Sequence, residues 1–169
     1  MTASTILVIG HAARRPLQRL ELTALSSGLV LQVGGEALPG DSGLECGFIE
    51  VLPMDEEGAE VAGRHFSFHS DTFRLPEGAT FLGSTDRYPQ AWRLDDSLAL
   101  QFHPELDRAG VEFVLDAETE RLTRLGIDVD LLRKENAEEL RAQEDGVRLI
   151  DRWMERRAPR PDQPADPPS

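Results

Sequence analysis

The sequence predicts an α/β domain in which a mixed sheet with an antiparallel patch is followed by C-terminal helices. Three observations carry that expectation. Thr5 to Gly10 (TILVIG) is a short, apolar, β-branched run ending in glycine, which is the pattern of a buried strand opening a parallel sheet. Between Glu45 and Phe102, short strand-like runs succeed one another with hairpin-type connections. From Asp116 the apolar spacing changes to that of amphipathic helices.

Composition narrows the possibilities. A chain of 169 residues is most economically one domain, here placed at 1–157. The remainder, 158–169, holds five prolines and no large apolar residue, so it is expected to be a disordered tail. The net charge of −13 argues against a nucleic-acid groove or an anionic membrane surface, because both need clustered cations. A single cysteine, Cys46, excludes an internal disulfide and a cysteine-built zinc site. No stretch reaches the ~18 apolar residues of a membrane helix, and the N-terminus lacks the pattern of a secretion signal. A cytoplasmic location is the expectation.

Taken in order, the first strand is followed by His11, read as an ordinary strand end, and by a helix-compatible segment from Leu17 to Val33 that Ser26-Ser27-Gly28 interrupts. Glu45 to Leu52 (ECGFIEVL) reads as a strand, and Pro53 to Gly63 as an acidic, solvated loop. His65 to His69 (HFSFH) alternates, placing Phe66 and Phe68 on one face and His65, Ser67 and His69 on the other. The two histidines stand about 13 Å apart along such a strand, too far to share a metal ion, so no metal or cofactor is expected. Ser70-Asp71-Thr72 reads either as a plain cap or turn, or as a turn shaping a ligand pocket. Leu75 to Ala79 is a turn; Thr80–Ser84, Ala91–Leu94 and Ser97–Phe102 are strands, with Asp95-Asp96 a tight turn between the last two. Trp92 and Phe102 are expected in the core. Beyond Asp116 two or three helices are expected, with Gly126 and Gly146 as candidate breaks.

The chemistry concentrates in Gln101-Phe102-His103-Pro104-Glu105. In an extended chain His103 and Glu105 project from one face, and the ring of Pro104 restricts the backbone between them. A carboxylate there can accept the proton of one imidazole nitrogen and leave the other as a general base. That is the base-and-orienter half of a nucleophilic triad.

The succession of His69-Ser70-Asp71-Thr72-Phe73-Arg74-Leu75-Pro76-Glu77-Gly78-Ala79, Tyr88-Pro89-Gln90-Ala91-Trp92-Arg93 and Gln101-Phe102-His103-Pro104-Glu105 resembles the class I glutamine amidotransferases, in particular the stand-alone type similar to the amidotransferase part of GMP synthase. The likeness runs from about Gly34 to Glu105. It implies a flavodoxin-like, three-layer fold, truncated here, and a Cys-His-Glu catalytic unit in which His103 is the base and Glu105 its orienter. It also implies that the Phe68, His69 and Ser70 backbone borders a glutamine pocket, with glutamine as substrate. The family's nucleophile motif, G-x-C-x-G, does not occur in these 169 residues. Residues 1–28 diverge from the family. A deletion, a misplaced start or a shifted reading frame would each produce that divergence.

The resemblance therefore implies a glutamine amidotransferase-like protein, impaired for glutamine hydrolysis and ammonia transfer unless Cys46 serves as nucleophile. The alternative is a degenerate, non-catalytic binding or interaction domain. Loss of early strands would leave an apolar edge that self-association could cover.

Overall fold

The computed structural model describes residues 5–8, 36–95 and 97–155. His11, the Leu17–Val33 segment and the 158–169 tail lie outside them. Among the described residues, eight strands precede three helices: β1 (Thr5–Val8), β2 (Glu36–Pro39), β3 (Glu45–Pro53), β4 (Gly63–His69), β5 (Asp71–Arg74), β6 (Thr80–Ser84), β7 (Pro89–Leu94), β8 (Ser97–Leu100), then α1 (Arg108–Arg124), α2 (Val129–Glu138) and α3 (Arg141–Glu155). The order β1-β8-β7-β6-β3-β4 makes a six-stranded sheet, and β2 and β5 form a separate antiparallel pair. The β1–β8 pair is parallel, with Thr5 opposite Ser97 and Val8 opposite Leu100, while the other named pairings are antiparallel. The expected mixed α/β architecture, with its antiparallel patch and C-terminal helices, is the one observed.

Strand β3 has a partner on each side. Its end, Leu52-Pro53, pairs with Gly83-Ser84 of β6, while Glu45 to Val51 pairs with β4. Beyond β8, His103 bridges to Phe66 of β4, and its amide donates to the Phe66 carbonyl at 2.8 Å. The end of β8 is thereby carried across to the far edge of the sheet.

This places β4 between two layers. On one side Phe66 and Phe68 pack against Val111, Leu115 and Leu122 of α1 and Val129 of α2. On the other, the His65 ring stacks on Phe102 at 4.0 Å between centroids. Phe102 belongs to a second apolar group with Leu82, Ala91, Leu98, Leu100 and, from α3, Leu149 and Trp153. Phe73, Trp92 and Ala99 form a third. Trp92 and Phe102 are buried, as expected of core residues.

Three elements depart from expectation: the start of α1, Gly146 and Ser70-Asp71-Thr72. Helix α1 begins at Arg108, eight residues before the change in period, because the Asp107 carboxylate accepts from the Gly110 amide at 2.8 Å and caps it, a contact worth about 1 kcal/mol. Gly126, with φ of 76°, follows the end of α1 as a break should. Gly146 instead lies within α3, where the helix passes so close to Pro104 that a Cβ would come within 2.4 Å of its carbonyl oxygen. Ser70-Asp71-Thr72 is neither a cap nor a turn, since Asp71 to Arg74 is a strand whose partner, β2, lies more than thirty residues upstream. The acidic segment 53–63 is largely exposed and contains a short 3-10 turn, Glu57–Glu60, whose first amides bond to Asp55. Among the described residues no helix is long and apolar enough to cross a membrane.

Candidate functional site

His103 and Glu105 lie just past the C-terminal end of β8, and the structure brings them together. His103 Nδ1 is 2.8 Å from Glu105 Oε1. Pro104 and Glu105 form a turn rather than continuing the strand, so the contact arises from that turn and not from side-by-side projection along an extended chain. The Glu105 side chain is 5% exposed and that of His103 17%, which leaves the pair at the boundary between core and solvent. A carboxylate acceptor at Nδ1 selects the Nδ1–H tautomer of a neutral ring, with the lone pair on Nε2. Glu105 Oε2 is buried without a hydrogen-bond partner among the described residues.

Cys46 is elsewhere. It sits on β3 opposite Phe68 and packs into the apolar layer beneath α1 and α2. Burial pushes its thiol up to about 12, against the opposing pull of Arg121 and with a further upward push from Glu118. Phe48, Phe66 and His103 lie in one row across the strands, and Cys46 lies two residues along β3 from Phe48. Two interstrand spacings across and two residues along give about 12 Å between the Cys46 and His103 Cα atoms. Side chains on strands stand perpendicular to the sheet, so the thiol and the imidazole do not meet.

The three residues whose backbone was expected to border a pocket, Phe68, His69 and Ser70, lie at the end of β4 and just beyond it. Phe68 is buried in the layer under α1, Ser70 is half-buried where its carbonyl accepts from the Gly40 amide at 2.9 Å, and His69 is 2% exposed. His69 belongs to a buried polar network that sequence reasoning missed. Its centre is Glu45, 3% exposed. His69 Nε2 lies 3.1 Å from Glu45 Oε2, Gln90 Nε2 donates to the same oxygen at 2.6 Å, and Ser67 Oγ reaches it at 3.5 Å. Thr85 Oγ donates to Glu45 Oε1 at 2.9 Å. Burial alone would raise the Glu45 pKa, but the hydrogen bonds from His69, Thr85 and Gln90 outweigh it and hold the carboxyl below its ordinary 4.5. On the other side of the His69 ring, Nδ1 lies 2.9 Å from the Asp71 carbonyl oxygen and 3.0 Å from Gln101 Nε2, which also donates to Asp71 O.

One signal for this network was present. Ser67, Gln90 and Gln101 interrupt otherwise apolar strands, and buried polar side chains in strands demand partners. Among the described residues no three His, Cys, Asp or Glu side chains converge as a metal ion would require. His65 and His69 have separate partners: His65 Nε2 faces the Val61 carbonyl at 3.2 Å, while His69 faces Glu45.

No protein-family model and no curated protein matches the chain. Solved structures do. A glutamine amidotransferase from Thermotoga maritima superposes with a TM-score of 0.65 at 26% identity, covering 75% of this chain and 58% of that one. The fold is that of a glutamine amidotransferase. A glutamine amidotransferase from Methylobacillus flagellatus shares the fold, with a TM-score of 0.62 at 21% identity over 76% of this chain and 59% of that one. The amidotransferase-like chain thus spans less than two thirds of the length of these neighbours.

Proposed function

We propose that these 169 residues carry the base-and-orienter half of a glutamine amidotransferase site and, with Cys46 as their one cysteine, do not themselves hydrolyse glutamine at an appreciable rate. The observation that supports this reading is the pairing of His103 Nδ1 with Glu105 Oε1 at 2.8 Å, with Cys46 set apart from it. In the proposed chemistry His103 Nε2 takes the proton of an attacking thiol and returns it to the departing ammonia, while Glu105 holds the ring in its tautomer and stabilises the imidazolium. The thiol attacks the side-chain amide carbon of glutamine to give a thioester, which water then hydrolyses to glutamate. Cys46 cannot take the thiol's part, because a thiol held near 12 is almost entirely protonated at neutral pH. The neighbours called glutamine amidotransferases support the substrate class; the recipient of any ammonia is outside this reading.

The test is a glutaminase assay of the purified chain beside Cys46→Ala. Ammonia release at background in both is the expected result. Release above background that disappears in Cys46→Ala would overturn the reading. A second reading, a non-catalytic domain that binds glutamine or a related amino acid through the same region, draws on the burial of Glu105 Oε2 without a partner. Calorimetric titration with glutamine separates it from a domain that binds nothing.

A further inference from the structure

The buried network around Glu45 does not touch His103, yet it converges on the residues that place it. Between Leu100 and His103 the chain changes partners. The Gln101 amide donates to the Gln90 carbonyl of β7 at 2.8 Å, whereas the His103 amide donates to Phe66 of β4 at 2.8 Å. The crossing is made in two residues, and both are held from the side. Phe102, fully buried, lies against the His65 ring. The Gln101 carboxamide, 1% exposed, is tied to His69 Nδ1 and to the Asp71 carbonyl at the corner where β4 meets β5. His69 is in turn anchored to Glu45 of β3, which Gln90 of β7 and Thr85 of the β6–β7 connection also grip.

We infer that Gln101 and His69 are positioning residues for the His103–Glu105 pair: the Glu45–His69–Gln101 chain of hydrogen bonds fixes where β8 leaves β7 and so sets the direction in which the imidazole meets its carboxylate. The inference rests on the reading of His103 and Glu105 as base and orienter for its functional meaning, but its geometry stands apart from any turnover. A buried polar network whose members reach four strands is suited to such a role, because hydrogen bonds prescribe direction where apolar contacts prescribe only proximity. Replacing one link by an apolar group of similar size leaves the volume filled and removes the direction.

The experiment is nitrogen NMR of the full chain with 15N-labelled histidine, at a pH where the His103 ring is neutral. The readout is the share of His103 in the Nδ1–H tautomer, its ring signals assigned by their loss in His103→Gln. In the parent chain the Nδ1–H form is expected to be the majority. In Gln101→Leu it should fall to a minority while circular dichroism and spectral dispersion remain those of the folded chain. His69→Gln keeps a donor towards Glu45 but removes the nitrogen facing Gln101, and it should act in the same direction, which supplies a second readout should Gln101→Leu not fold. A folded Gln101→Leu or His69→Gln chain with the parent's His103 tautomer overturns the inference, whatever its melting temperature. Because no ammonia is measured, this outcome is independent of the glutaminase result.

Discussion

Acid should destabilise this protein in part through one histidine that has no part in the proposed chemistry. His65 is 1% exposed and stacked on Phe102, and its Nδ1 is buried without a hydrogen-bond partner among the described residues. Burial pushes its pKa down from 6.5 to about 4, only partly opposed by Asp145 and by the Val61 carbonyl, and Arg141 adds to the depression. The folded state therefore holds the ring neutral while the unfolded chain protonates it near 6.5. Where the unfolded state binds the extra proton, stability rises with pH, so this contribution is intact above about 6.5 and is lost as the pH falls towards 4. Between pH 7 and pH 4.5 the two values give a loss of about 2 kcal/mol from this group alone, a sizeable part of a typical domain's 5–15 kcal/mol. The assay is urea unfolding at both pH values for the parent and for His65→Phe, which keeps an aromatic ring against Phe102 and cannot titrate. Other groups change with pH in both chains and cancel in the difference. The parent should lose about 2 kcal/mol more than the variant over this interval. A difference between the two chains that does not change with pH would refute the reasoning.

Two further outcomes follow from the same geometry. Cys46 should react with a thiol reagent about a thousandfold more slowly in the folded chain than in urea, since its thiol is displaced from 9.0 to about 12; comparable rates in both conditions would place it outside the apolar layer beneath α1. Gly146→Ala should destabilise the chain by about 1–3 kcal/mol in chemical unfolding, because its methyl would meet Pro104 O at 2.4 Å and the clash exceeds the ~1 kcal/mol that alanine gains in a helix.

The sheet was readable wherever its pattern was local. Glu45–Pro53, Gly63–His69 and Thr80–Ser84 alternate or run apolar over their own length, and β1 is marked by its β-branched run. Strand β5 was not readable, because Asp71-Thr72-Phe73-Arg74 carries turn-forming residues at its start and becomes a strand only by pairing with Glu36–Pro39. Such a tertiary partner overrides propensity. Gly146 misled for a related reason. A glycine in a helical pattern signals a break when only the helix is considered, but here it is the point where α3 passes Pro104.

The site divides along the same line. His103 and Glu105 are two residues apart, so the proline between them and the chemistry of their side chains pointed to their contact before any fold was known. Glu45 and Gln101 are joined through the side chain of His69, across a separation of fifty-six residues, and none of the three advertises the others in sequence. What did mark them was cost. A buried carboxylate, a buried imidazole and the amide nitrogens of two buried glutamines find partners in one another, since a buried polar group left alone forfeits about 1–3 kcal/mol. Polar interruptions of apolar strands should therefore be read as a set rather than singly. In this chain that set leads to the backbone turn on which the imidazole and its carboxylate are mounted, and the precision of that pair depends on residues that never touch it.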